Sequence, residues 1–167
     1  MSQTKAQLIA SDATFTISSD ASFNSVSIGK GANSVANNTV LGESALDAAV
    51  SGGSNTAVGK ESLGNNTSGA NNTGVGFQSI FDNTTGSQNT AVGVQALANN
   101  TTASNNTGIG FGALFLNTTG TANTAVGASA LDANTTASNN TAVGHLALTS
   151  NTTGTQNTAI GSEALDA

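Results

Sequence analysis

The chain has 167 residues, enough for one domain, and a formal net charge of −6; only 7% of its residues are charged and 4% aromatic, and it has neither Pro nor Cys. Lys5, Lys30 and Lys60 are its only basic side chains, so nucleic acid and an anionic membrane surface find no cationic patch to bind. Disulfides are excluded, and no apolar run approaches the ~20 residues a membrane-spanning helix needs.

In chain order, residues 1–13 carry no clear pattern, and they lack the long apolar segment of a secretory signal. Thr14-Phe15-Thr16-Ile17 reads as a short strand. Residues 1–23 together are expected to form an N-terminal attachment or capping segment. Asn24 to Gly29 read N-S-V-S-I-G, and fourteen residues separate Asn24 from Asn38. Aligned on the glycines, Val26 matches Thr39 and Ile28 matches Leu41, which predicts a shorter coil feeding the series that follows.

From Asn38 onward the pattern N-T-[AGV]-[VIL]-G recurs every seventeen residues, at Asn38, Asn55, Asn72, Asn89, Asn106, Asn123, Asn140 and Asn157. Counting from this Asn, position 4 is Leu41, Val58, Val75, Val92, Ile109, Val126, Val143 and Ile160. Position 5 is always Gly: Gly42, Gly59, Gly76, Gly93, Gly110, Gly127, Gly144 and Gly161. Position 8 is Ala or Ser, and position 9 is Leu46, Leu63, Ile80, Leu97, Leu114, Leu131, Leu148 and Leu165. Position 12 is Asn66, Asn83, Asn100, Asn117, Asn134 and Asn151, followed by Thr and then Thr or Ser; the first copy departs, reading Ala49-Val50-Ser51-Gly52. The repeat domain is thus expected to span 24–167, as one 14-residue coil and eight copies of the repeat with the last truncated and no recognisable cap.

Seventeen residues are too few for a pair of helices with turns, and β-branched residues with a Gly in every copy disfavour a helix. The alternation T-A-V suits a strand. The spacing predicts an all-β parallel β-solenoid, or β-roll, with short strands at positions 2–4 and 8–9 and corners at Gly 5 and Asn 12. Thr 2, the aliphatic residue at 4 and Leu 9 are expected to point inward, as the structural core. Coils stacked ~4.8 Å apart give a rod on the order of 40 Å long. So thin a core makes a marginal domain, and the small residues at 3 and 8 are expected to form a flat face where other chains approach, most simply in a homotrimer. Asn at fixed positions predicts side-chain amide ladders between coils.

The N-S-V-S-I-G at 24–29 and the eight N-T-A-V-G copies resemble the head repeat of trimeric autotransporter adhesins, the YadA-like head, over roughly residues 24–167. That resemblance implies a left-handed parallel β-roll with three chains around an axis. Arrays of the form N-T-A-V-G-x-x-A-L-x-x-N-T-T-G are similar to those of bacteriophage tail fibres and related virion appendages. No secretion signal, membrane anchor or coiled-coil stalk is readable, so the expectation is a structural protein on the exterior of a virion, a short fibre or a capsid or tail decoration. Its expected partners are two more copies of itself, other virion proteins through the N-terminal segment, and a glycan or protein of the host surface. The alternatives are the head of a bacterial cell-surface adhesin and, further off, an ice-binding solenoid; the inward position expected for Thr 2 argues against ice.

No catalytic, metal or cofactor constellation is legible. His145 is the only histidine and stands at the variable position 6, which reads as an exposed corner rather than a general base or ligand. The nine carboxylates are scattered. Phe77 and Phe81 occupy positions 6 and 10 of one copy, and Phe111 and Phe115 the same positions two copies later. Their recurrence suggests aromatic pairs ~10 Å apart on one side of the rod, read as packing at a subunit interface in preference to a stacking surface for sugar rings. The repeat itself generates the many Asn-x-Thr/Ser triplets, so glycosylation is not expected.

Overall fold

Thr at position 2 and a branched aliphatic residue at 4 favour extended backbone, and each copy forms one short strand there. The computed structural model describes residues 20–48 and 50–166. Its strands are β1 (Ala21–Phe23), β2 (Val26–Gly29), β3 (Thr39–Gly42), β4 (Thr56–Val58), β5 (Thr73–Val75), β6 (Thr90–Val92), β7 (Thr107–Ile109), β8 (Thr124–Val126), β9 (Thr141–Val143) and β10 (Thr158–Ile160). They make one sheet in chain order. From β3 to β10 every pairing is parallel and joins like to like, Thr56 to Thr73, Ala57 to Gly74 and Val58 to Val75. The fold is a β-solenoid whose coil is the seventeen-residue repeat, and no α-helix occurs among the described residues.

The expected coil at 24–37 is not formed. β2 runs antiparallel to β3, pairing Ile28 with Leu41 and Gly29 with Val40, and β1 folds back on β2. Asn24 and Ser25 both have positive φ, 48° and 68°, as a two-residue hairpin turn requires. Asp20 closes the open end of the hairpin, where Lys30 N–H donates to Oδ1 at 2.7 Å and Gly31 N–H to Oδ2 at 2.6 Å, and Ala32 N–H then ties the segment to the first coil through Leu46 O at 3.0 Å. A twisted-back hairpin covers the edge strand that a further coil would leave open. The strand expected at Thr14–Ile17, and residues 1–19 of the attachment segment, lie outside the described residues.

The second expected strand, at positions 8–9, is a chain of turns. Gln95, Leu97 and Asn105, at positions 7, 9 and 17, have φ of 57°, 53° and 63°, and the other coils repeat this. Left-handed backbone costs a non-glycine residue roughly 1–2 kcal/mol, and Ile80 adopts it at 51° despite its β-branch. The compensation lies in where the amides go. Gln95 N–H donates to Phe77 O at 2.9 Å, Leu97 N–H to Ala113 O at 2.9 Å and Asn105 N–H to Ser87 O at 3.1 Å, each in a neighbouring coil. The left-handed residues turn backbone donors along the rod axis, where partners recur every repeat.

Gly at position 5 ends each strand with φ between 124° and 158°. Space demands glycine there as well: a Cβ on Gly93 would meet the backbone of Gly110 in the next coil, and one on Gly59 that of Gly76. The glycine column lets the corners stack backbone on backbone.

The interior inverts the expected strand faces. Position 3 points inward: Ala57, Ala91, Ala125 and Ala142 are fully buried, as are Ala96, Ala113 and Ala130 at position 8. Leu46, Leu63, Ile80, Leu97, Leu114 and Leu131 fill the centre with no exposure, Leu148 is nearly as deep, and Leu165 is 61% exposed in the eighth copy. A Cβ on Gly108 would touch Leu97 Cγ at 3.3 Å, so position 3 packs directly against the leucine column. The small residues at 3 and 8 are therefore core and do not form a docking face between chains. From the second coil on, position 3 is Ala or Gly beside the central Leu or Ile; the first coil, at the end of the stack, instead buries Val40 there, 2% exposed.

Two amide columns complete the interior. At position 1, Asn72 N–H donates to Asn55 Oδ1 at 2.9 Å, and Asn72 Nδ2 donates to Gly86 O at 2.9 Å. At position 12, Asn83 Nδ2 donates to Asn66 Oδ1 at 2.7 Å and also to Gly86 O at 2.9 Å. The carbonyl at position 15 thus accepts from both columns, as Ala103 O does from Asn89 and Asn100. These asparagines are fully buried and hydrogen-bonded.

Two consequences are measurable. Asn100→Ala strands Asn83 Oδ1 and leaves Asn117 Nδ2 and Ala103 O each one partner short; it should cost roughly 2–4 kcal/mol in denaturant unfolding, whereas Asn99→Ala, on the partly exposed neighbour, should cost under about 1 kcal/mol. Gly74 faces hydroxyls where four of the eight copies have Ala at both positions 3 and 8: its Cβ would lie 2.6 Å from Ser62 Oγ and 2.9 Å from Ser79 Oγ, and Ser62 Oγ donates to Gly74 O at 3.0 Å. Gly74→Ala should destabilise alone and be rescued by Ser62→Ala with Ser79→Ala, a coupling a double-mutant cycle reads directly.

Candidate functional site

With position 3 inside, strand alternation sends positions 2 and 4 outward. Leu41, Val58, Val75, Val92, Ile109, Val126, Val143 and Ile160, expected in the core, lie instead on the outer surface of the sheet. Val92 and Ile109 are 39% exposed, Leu41 45% and Ile160 72%; the other four are partly exposed. The in-register pairing stacks them into a straight aliphatic column, and Thr39 to Thr158 form a parallel column beside it.

Repetition and burial part company on this face. Positions 1, 3, 5, 8, 9, 12 and 15 repeat because they fill or line the interior. Thr at position 13 is outside but bonded: Thr84 Oγ1 donates to Thr101 O at 3.0 Å and Thr101 Oγ1 to Thr118 O at 3.1 Å. Position 6, next to the face, is free to vary and reads Glu43, Lys60, Phe77, Val94, Phe111, Ala128, His145, Ser162. Positions 2 and 4 are exposed, yet they are Thr in all eight copies and branched aliphatic in all eight. Strand propensity would accept a mixture of Val, Ile, Tyr, Phe and Thr at both. Two exposed columns, one all Thr and one all branched aliphatic, make a surface patterned at the coil period, and an exposed apolar stripe of this kind marks an interaction site.

The aromatic residues divide between two columns. Phe77 and Phe111 at position 6 are 40% and 61% exposed and extend the apolar stripe, with Val94 at 42% between them. Phe81 and Phe115 at position 10 are partly buried, beyond a turn whose centre is the buried Ser79–Ile80 and Ala113–Leu114. His145 is exposed in the position 6 column. Among the described residues no group of three or more His, Asp or Glu side chains is placed to hold a metal ion. The ion pair Lys60–Glu43, 3.2 Å, joins adjacent coils with both side chains about half exposed, a geometry worth little in stability. Sequence reading missed a rung at position 7, where Gln78 Nε2 donates to Glu61 Oε2 at 2.7 Å and Gln95 Nε2 to Gln78 Oε1 at 3.2 Å; the clue was the polar trio Glu61, Gln78 and Gln95 at one position.

No family model, curated protein or solved structure matches the chain at a significant level.

Asp132, at position 10, supplies a pH test of its partly buried setting. Desolvation raises its carboxyl above the ordinary value of 3.8. A folded-state pKa above the unfolded one means that the ionised carboxylate opposes folding above the folded value, and that the penalty vanishes as pH falls below 3.8. Asp132→Asn should therefore raise the thermal midpoint at about pH 7 and leave it unchanged at about pH 3; a lower midpoint at neutral pH contradicts the assignment.

Proposed function

We propose that this protein is a non-enzymatic structural element of a virion appendage, a short fibre or decoration, in which the Thr and aliphatic face packs against the same face of other copies in a homotrimer. The observation that carries the reading is the pair of exposed columns, one all Thr and one all branched aliphatic. A partner for such a face must itself repeat at the coil spacing, and a second copy of the chain does so by construction. Packing Val on Val across copies buries the aliphatic column at roughly 25 cal/mol per Å² and lets Thr hydroxyls bond between chains. Three faces of one kind close around a threefold axis and leave no open interface. The near absence of charged groups on the face fits an interface core, where charges are depleted. In this reading residues 1–23 dock the rod on other virion proteins, and the outer columns, including the exposed Phe77 and Phe111, meet a host-surface glycan or protein. The head of a cell-surface adhesin would use the same architecture, and the protein composition of purified particles separates the two.

Sedimentation equilibrium should return a mass three times that of the chain. Val92→Lys with Val126→Lys should convert the trimer to a folded monomer whose circular dichroism is unchanged. A folded wild-type monomer at micromolar concentration, or a trimer indifferent to both lysines, contradicts the assembly.

One observation favours a second reading. The position 2 hydroxyls project from a parallel sheet, which removes the objection to ice binding that the inward placement of Thr had raised. In that case the wild-type protein should show thermal hysteresis that Thr90→Val with Thr107→Val abolishes; none at micromolar concentration rules it out.

A further inference from the structure

Position 10 holds Asp47, Gly64 and Phe81 in three successive coils. Gly64 leaves a gap in that column, and the Phe81 ring closes over it: a Cβ at Gly64 would lie 2.9 Å from Phe81 Cε2 and 3.0 Å from Cδ2. The result is an open cleft of about 340 Å³ lined by Ser44, Asp47, Glu61, Gly64, Asn65 and Phe81. Gln78 holds Glu61 through Oε2 at 2.7 Å, leaving Oε1 uncommitted, and Asn65 Nδ2 donates to Asp82 Oδ1 at 3.0 Å. Among the described residues the one ion pair is Lys60–Glu43, and no described cation neutralises Asp47 or Glu61. The same ring recurs at Phe115 without this setting: Ala98 replaces the glycine beneath it, and position 7 offers Gln95 and Gly112 in place of a carboxylate.

We propose that this cleft binds an organic ammonium cation. A ring wall attracts a cation through its quadrupole when the charge lies within about 6 Å of the centroid. Two carboxylates beside it supply charge-assisted acceptors, and the floor at Gly64 lets the apolar carbons next to the nitrogen approach the backbone. The shared chemistry is a positive nitrogen with an apolar flank, which a quaternary amine, a lysine side chain or an amino sugar can present. An open cleft of this size implies weak binding, Kd on the order of millimolar.

The test is an NMR titration of the full chain with choline, Nα-acetyl-lysinamide and glucosamine, with glucose as the uncharged control. All three cations, or choline alone if only a quaternary nitrogen fits, should shift the Phe81 ring and Gly64 amide saturably and leave Phe115 unmoved. Glucose should have no effect. Asp47→Asn, on an exposed side chain, should weaken binding at least threefold, and Phe81→Leu and Gly64→Ala should abolish it with the circular dichroism retained. The proposal fails if choline gives no saturable shift at concentrations on the order of 50 mM, if glucose shifts the same signals equally, or if Asp47→Asn leaves the affinity unchanged.

Discussion

From the second coil on, the interior holds one large side chain per coil, and everything else inside is small or bonds along the axis; the end coil alone also buries Val40 and Val50. Leu at position 9 is that large side chain, as Leu97 and Leu114 show by their complete burial. The rest of the interior is Ala, Gly, the buried Ser62 and Ser79, and the amides of two asparagines. A buried amide without partners costs several kcal/mol, so each asparagine is tolerable only because another stands one coil away. Asn66, Asn83, Asn100 and Asn117 satisfy one another in series, and Asn134 ends the run by donating to Asn117 Oδ1 while its own Oδ1 is buried without a partner. That requirement sets the repeat length: one inserted residue would break a rung in both columns at once. It also makes stability a property of neighbouring coils, as in other solenoids.

The same constraint explains the backbone. Leu, Gln and Ile accept left-handed conformations that their side chains resist, because those conformations aim amide hydrogens at the adjacent coil. Local preference and axial bonding conflict at positions 7, 9 and 17, and axial bonding wins because the amide of each strained residue meets a carbonyl of the adjacent coil, in the buried interior at position 9.

The coil period, the parallel stacking, the glycine corners, the central leucines and the amide ladders were all legible in the sequence, because each is a residue type locked to one position. The orientation of the strand was not. Thr-Ala-Val alternates, and alternation says which residues share a face but not which face is inside. Hydrophobicity favoured Val58 and Val92 for the interior; the structure places Ala57 and Ala91 there, packed beside the leucine column, and a Val only at Val40 in the end coil. The turns at positions 7–9 were hidden for a similar reason, since nothing in Gln95-Ala96-Leu97 announces positive φ at two of three residues. The hairpin at β1 and β2 shares its N-S-V-S-I-G with the coils yet runs the other way, and only Asn24-Ser25 between the strands hinted at a reversal. Placing the valines outside moves the site itself: the face offered to partners is Thr and Val, and the small residues once expected there hold the chain together.

Hydrogen exchange of the asparagine side-chain amides, resolved by NMR, tests the axial ladder most directly. The NH₂ groups of Asn72, Asn83, Asn89, Asn100, Asn106 and Asn117 should exchange only on global unfolding, while those of the exposed Asn71, Asn105 and Asn139 exchange at the rate of free amides. Rapid exchange of Asn83 and Asn100 in the folded protein would contradict an interior built on amide rungs.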